Sequence, residues 1–242
     1  MGVSFLKTPL VERLLTLTEE GLRKFIDPQV EAILEVGNYI VDGGGKRLRP
    51  LLLLLIAEGG KIESPLLEER VLPLAVGIEY IHTASLLHDD VVDEAPTRRG
   101  RPSAHTIFGN AVSVLTGDYM YATALYLYSL YGDSEMIKVV SQAVRQMAEG
   151  QVLELKKVGE LIDEKTYFDI IDGKTAVLFA AACAVGALTS PNLRENYTDF
   201  WKFGLHLGRA FQLIDDALDY EGSEEQLGKP AGQDLLEGKT TY

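Results

Sequence analysis

Six aspartates stand in two short runs, His88-Asp89-Asp90-Val91-Val92-Asp93 and Ile214-Asp215-Asp216-Ala217-Leu218-Asp219, and both runs read Asp-Asp-x-x-Asp. On a helix the first and last Asp of each run fall at i and i+4, one carboxylate above the other on one face, with the middle Asp beside them. Like charges at that spacing destabilise a bare helix, so a positive charge belongs there. Hard oxygen donors on a rigid scaffold, with room for water and phosphate oxygens, suit Mg²⁺. The segments before the runs, Ile81 to Leu87 and Phe211 to Ile214, are largely apolar, so the carboxylates emerge from core helices. A solvated acidic helix end is the plain alternative for one such run, and the repetition weighs against it for two.

Carboxylate-bound metals make sense beside a phosphate substrate, and the basic residues are spaced to match. Gly43-Gly44-Gly45-Lys46-Arg47-Leu48-Arg49-Pro50 puts a flexible loop and three cations at a helix start, which is anion-binding geometry. Arg98-Arg99-Gly100-Arg101 follows the first acidic run in a Gly/Pro loop, and Lys174 stands alone in a helical stretch. Gly228-Lys229-Pro230 and Glu237-Gly238-Lys239 bring two lysines just after the second run. Arg47 and Arg101 read as ordinary surface charge. His82 lies seven residues before Asp89, two turns away on the same face, and reads equally as a core histidine or as a group turned toward the cluster.

The elements that hold these residues are helical. Apolar residues recur at helical spacing in Leu10, Leu14 and Leu17, and again in Val30, Ile33, Leu34, Val36, Tyr39 and Ile40. Breaks fall at Asp27-Pro28, Gly43 to Gly45, Glu58 to Gly60, Ser64-Pro65, Thr97 to Pro102, Gly132-Asp133, Ser190-Pro191 and Gly222 to Gly232. Strand alternation is nearly absent. Leu72 to Val92 and Ala111 to Tyr131 are apolar around most of their circumference, which predicts central helices wrapped by others. The pattern predicts a single all-α domain over residues 1–242, too large for a four-helix bundle.

Composition narrows the ligand further. The 242 residues carry a net charge of −13, which argues against a nucleic-acid or anionic-membrane binder, so a polyanion must be held by a local basic site or by metal. One cysteine, Cys183, excludes a disulfide framework and fits a reducing compartment. The longest apolar stretch, Ala176 to Leu188, is too short and Ala-rich for a membrane span. A cytoplasmic protein without an integral membrane segment is expected.

The chain resembles the trans-isoprenyl diphosphate synthases, also called polyprenyl synthetases. The likeness runs from Gly45-Lys46-Arg47-Leu48-Arg49-Pro50 through the first acidic run and Arg98-Arg99-Gly100. It continues through Gly117-Asp118-Tyr119, Glu149-Gly150-Gln151, Lys174-Thr175, Gln212 to Asp219, and Gly228-Lys229-Pro230 to Lys239. The resemblance implies an isoprenoid synthase fold, a large antiparallel helical bundle around a central cavity. It also implies Mg²⁺ dependence, homodimerisation, and head-to-tail condensation of isopentenyl diphosphate with an allylic diphosphate such as farnesyl diphosphate. By the same resemblance Asp89, Asp93 and Asp215 are Mg²⁺ ligands, with Asp90, Asp216 and Asp219 completing the clusters. Arg98, Lys174, Thr175, Gln212, Lys229 and Lys239 contact the allylic diphosphate, Lys174 also assisting catalysis, and Lys46, Arg49, His82 and Arg99 hold isopentenyl diphosphate. The physical logic agrees, because the hard step is losing diphosphate to leave an allylic cation, and metals with lysines stabilise the charge on that leaving group.

Short-chain members of the family carry bulky aromatics one turn before the first cluster, where this sequence has Ala84 and Ser85. Small residues leave the product tunnel open, so an all-trans product in the hexaprenyl to decaprenyl range is expected. Ile81, Ile78 and Gly77 would line the next turns, with a floor at Tyr121, Tyr126, Tyr128 or Tyr131, or with those tyrosines simply packing core helices. A shorter-chain synthase and a non-catalytic partner subunit are the alternatives, the latter disfavoured because both clusters are intact. A class I terpene cyclase would carry a different second metal motif and would not need the Lys-Arg-Leu-Arg segment. The sequence stops at Lys239-Thr240-Thr241-Tyr242, where the family's loop leads into further C-terminal helices, so a chain lacking those helices is expected.

Overall fold

The first helix, α1 (Pro9–Lys24), starts where Thr8 Oγ1 accepts from the Val11 amide and Pro9 opens the first turn, and it ends on Arg23 and Lys24. Its inward stripe is Val11, Leu14, Thr18, Gly21 and Leu22, the helical spacing read from the sequence. The computed structural model describes residues 8–221; Lys229, Lys239 and the C-terminal end, Lys239 to Tyr242, lie outside the described residues. The described residues divide into two compact units, residues 8–137 with 185–197, and residues 138–184 with 198–221.

In the first unit α2 (Glu31–Asp42), α3 (Leu48–Gly59) and the short α4 (Ser64–Leu66) follow α1, and a π-helical turn, Leu67–Val71, leads into α5 (Leu72–Val92). Helix α5 is the centre of this unit, with every residue from Leu72 to Ile81 buried. A two-residue hairpin, β1 (Thr97–Arg98) with β2 (Arg101–Pro102), then α6 (Ala104–Phe108) and α7 (Asn110–Tyr131) complete it. The Arg98 to Arg101 stretch is therefore a paired turn and not an irregular loop: Arg99 and Gly100 both take left-handed backbone, φ 53° and 75°, the demand of a tight hairpin turn.

Helices α5 and α7 lie against each other. A Cβ at Gly117 on α7 would sit 2.3 Å from His88 Nε2, so only glycine lets that imidazole lie on the helix. At the other end of α5 the Tyr128 hydroxyl donates to Leu74 O at 3.1 Å. One expectation fails on α7. Its outer face leaves Leu115, Leu125, Tyr126 and Leu130 exposed, so it is apolar all round without being wrapped all round within the described residues of one chain.

In the second unit α8 (Ser134–Lys157, whose first turn belongs to the first unit) and α9 (Glu164–Ile171) precede a π-helical turn, Asp172–Ala176, which continues directly into α10 (Val177–Thr189, of which Val185 onward belongs to the first unit). The combined helix Glu164–Thr189 is long and apolar enough to cross a membrane, yet 89% of its most apolar window is packed inside the protein, as a core helix is. Helix α11 (Tyr197–Glu221) carries the second acidic run. Among the described residues the only strands are β1 and β2, so the all-α expectation holds.

Candidate active site

The first acidic run closes α5. Asp89 and Asp90 lie in its last turn, and Asp93 is the C-cap residue, its amide donating to Asp89 O. Carboxylates at a helix C-terminus oppose the macrodipole, which strengthens the demand for a cation. The three differ in burial. Asp93 is exposed, Asp89 half-exposed and Asp90 only 1% exposed. Asp90 Oδ1 accepts from Arg98 Nε at 2.6 Å, while Oδ2 is buried with no hydrogen-bond partner among the described residues. Burial raises the Asp90 carboxyl above the usual range, against the pull of Arg98.

The second run repeats the arrangement on α11. Asp215 is exposed and Asp216 is 5% exposed. Asp216 accepts from the Tyr167 hydroxyl at 2.5 Å and from Gln212 Nε2 at 2.7 Å. In both runs the first Asp offers its carboxylate outward and the middle Asp is turned in and held by protein donors. The runs differ at the last position, where Asp93 is exposed and Asp219 is 1% exposed. Asp89, Asp93 and Asp215, the expected ligands, are thus the outward members, and their hard carboxylate oxygens fit a divalent cation. Within the described residues no three acidic, His or Cys side chains already converge on a metal-sized space.

The expected isopentenyl diphosphate residues gather in the first unit. Arg47, expected on the surface, is instead 4% exposed and fully engaged. Its Nη1 donates to Glu79 Oε1 at 3.0 Å, Nε to Glu19 at 2.7 Å and Nη2 to Val41 O at 2.8 Å. It caps α3 with left-handed backbone, φ 47°, which turns the side chain into the core and sets Arg49 in the first turn beyond. The burial that opposes its charge is outweighed by Glu19 and Glu79. Arg49 is brought down to about 10, chiefly by burial and also by Arg99, while Glu79 works the other way. His82 is held well below its ordinary range by burial and by Arg49, Arg99, Arg98 and Arg47, which keeps the imidazole neutral. Arg49, His82 and Arg99 therefore sit within one another's field, while Lys46 is exposed on the loop before them. A pocket opens beside this group, lined by Tyr39, Gly43, Asp90, Arg98, Arg99 and Arg101 among others. The Arg101 guanidinium, likewise expected to be plain surface charge, lies 4.3 Å from the Tyr39 ring centroid.

In the second unit the π-helical turn carries three polar contacts. Asp172 takes a bidentate pair from Arg209, Lys174 is ion-paired with Glu154, and Thr175 Oγ1 donates to Gln212 Oε1 at 2.7 Å. A π turn inserts an extra residue into a helix and so re-aims side chains, and such turns recur at functional sites. Gly150 on α8 lies against Gly173, where a Cβ would meet the Gly173 Cα at 2.8 Å, so the Glu149-Gly150-Gln151 motif is a close helix contact on the Lys174 turn. Thr175, Gln212, Asp216 and Tyr167 form one chain of hydrogen bonds. Tyr167, Glu79 and Glu154 carry no spacing signal in the sequence, because each is a single residue outside any repeated motif.

The residues before the first cluster are small and inward. Ala84 has no exposed surface, and Ser85 is half-buried with its hydroxyl donating to His82 O at 2.8 Å. Of the tyrosines expected near a tunnel floor, Tyr128 is 1% exposed and lies against Gly77, whereas Tyr126 is 62% exposed.

Residues 30–242 match the family model described as polyprenyl synthetase. The chain is 44% identical over 217 residues to the octaprenyl diphosphate synthase of Escherichia coli, an alignment covering 89% of this chain and 66% of that one. It is 37% identical over 228 residues to heptaprenyl diphosphate synthase component 2 of Geobacillus stearothermophilus, covering 94% and 70%. The polyprenyl synthase of Caulobacter crescentus, solved with calcium and isoprenyl diphosphate, superposes with a TM-score of 0.88 at 39% identity over 96% of this chain and 70% of its own. The chain thus spans just under two thirds of the length of the Escherichia coli relative.

Proposed function

Because the chain belongs to the polyprenyl synthetase family, we propose that it is a trans-prenyltransferase that joins isopentenyl diphosphate head-to-tail to an allylic diphosphate such as farnesyl diphosphate. The observation that supports this most is the repeated division of labour in the acidic runs, with Asp89, Asp93 and Asp215 outward and Asp90 and Asp216 buried and held. Asp89, Asp93 and Asp215 hold Mg²⁺ in this reading. When bound, Mg²⁺ neutralises charge on the leaving diphosphate. Arg98 contributes cationic charge toward the allylic diphosphate beside the first run; Lys174, Thr175 and Gln212 do so beside the second, and Lys229 and Lys239 complete the set.

Isopentenyl diphosphate is taken by Lys46, Arg49, His82 and Arg99. A neutral His82 donates a hydrogen bond without adding charge, and the arginines supply bidentate recognition of phosphate oxygens. Once the allylic carbon–oxygen bond breaks, the isopentenyl double bond attacks the cation and a proton leaves to the departed diphosphate, so no side-chain base is required. The small Ala84 and Ser85, with octaprenyl synthase relatives, favour a long-chain product. The apolar outer face of α7, Leu115, Leu125, Tyr126 and Leu130, suits burial against a second copy, and a homodimer in the cytoplasm is proposed. The name of the Geobacillus relative, component 2, favours as a second reading assembly with a different subunit. Incorporation of radiolabelled isopentenyl diphosphate that needs farnesyl diphosphate and stops on chelation tests the activity. Light scattering of the purified chain separates a homodimer from a monomer awaiting another subunit.

A further inference from the structure

Glu79 is a carboxylate in the wrong place for a core helix. It sits on α5 at 2% exposure, three residues before His82 and so on the same side of the helix. Buried carboxylates persist where they are paired, and Oε1 is paired with Arg47 Nη1 at 3.0 Å. Its Oε2 is buried without a hydrogen-bond partner among the described residues. Burial raises the Glu79 carboxyl, and Arg47, Arg49 and Arg99 oppose that rise, so three guanidinium groups lie within reach of one anion. Two of them lie close over Gly45: a Cβ there would sit 2.9 Å from Arg99 Nη1 and 3.3 Å from Arg47 Nη1.

Three arginines around a neutral imidazole repel one another when no ligand is bound. We propose that Glu79 is the positioning residue of the isopentenyl diphosphate subsite, the internal counter-charge that keeps Arg49 and Arg99 aimed at His82 by anchoring Arg47 and the loop that carries Lys46. It acts through Arg47, whose remaining arms tie α1 through Glu19 and α2 through Val41 O, and it touches no substrate. Preorganised donors bind an anion without first overcoming their own repulsion. This inference rests on the assignment of Lys46, Arg49, His82 and Arg99 to isopentenyl diphosphate.

Calorimetric titration of the full chain tests it. In Glu79→Gln, which keeps the shape and removes the charge, the Kd for isopentenyl diphosphate rises at least tenfold while that for farnesyl diphosphate in Mg²⁺ stays within about twofold. Glu79→Asp, with the charge kept but drawn back, falls between. A residue that only braces the fold would lower the melting temperature and leave the ratio of the two Kd values unchanged; that result, tighter isopentenyl diphosphate binding, or failure of both variants to fold overturns the proposal. If the unaltered chain binds no isopentenyl diphosphate, the subsite assignment itself fails. If the unaltered chain binds it and Glu79→Gln binds it equally, only the role of Glu79 fails.

Discussion

Arg98 donates from Nε to Asp90 Oδ1 at 2.6 Å, so the hairpin that follows the first acidic run is pinned to the buried middle member of that run. The pairing separates two kinds of aspartate that look alike in sequence. Asp90 is turned inward and held, whereas Asp89 and Asp93 face outward, where the proposed reading places the metal.

Asn substitution should expose that division. Asp89→Asn and Asp93→Asn are expected to lower kcat by about 100-fold or more, the scale of losing one preorganised electrostatic group. Their melting temperatures should stay level or rise, since like-charge repulsion is relieved. Asp90→Asn should lower the melting temperature, because Arg98 loses its charged acceptor. Steady-state kinetics beside thermal unfolding distinguish the patterns.

In the second run the brace is Tyr167. Removing its hydroxyl leaves buried Asp216 Oδ2 short of a charge-assisted hydrogen bond worth about 1.5–3 kcal/mol. Tyr167→Phe should therefore destabilise by that order in denaturant unfolding. An unchanged midpoint would remove Tyr167 from the site.

Asp133 gives a pH-dependent prediction. Burial pushes its carboxyl up, but the Met136 amide, Arg194 and the Glu135 amide outweigh that and hold it below the ordinary 3.8. A depressed folded value stabilises above the unfolded value and is lost as pH falls through the folded one. Asp133→Asn should be less stable than the parent at neutral pH, with the difference shrinking below about pH 3.8. A gap that stays constant from pH 7 to pH 3 contradicts the assignment.

The packing before the first cluster splits the chain-length test in two. Ala84 is fully buried, so Ala84→Phe overpacks a tight site and should cost about 1–3 kcal/mol as well as shorten the product. Ser85 is half-buried and Ser85→Phe should shorten the product at little cost in stability. Product lengths unchanged in both variants would remove these positions from the tunnel.

The acidic runs could be found from sequence because helical spacing puts i and i+4 on one face and because the pattern occurs twice. Which member turns inward could not, since that depends on Arg98, Tyr167 and Gln212 arriving from other segments. The burial of Arg47 is hidden in the sequence for a related reason: a left-handed cap residue breaks the helical pattern that burial follows. The hairpin at Arg98 to Arg101 escaped because two-residue strands have no alternation to detect. On α7 the hydrophobicity was plain, but sequence cannot say whether an apolar face meets its own chain or another.

The proposed activity is tested most directly by the mass of the product made by the purified chain with isopentenyl diphosphate, farnesyl diphosphate and Mg²⁺. The expected product is an all-trans polyprenyl diphosphate of six to ten isoprene units, lost in Asp89→Asn. No condensation product, or one that stops at geranylgeranyl diphosphate, would contradict it.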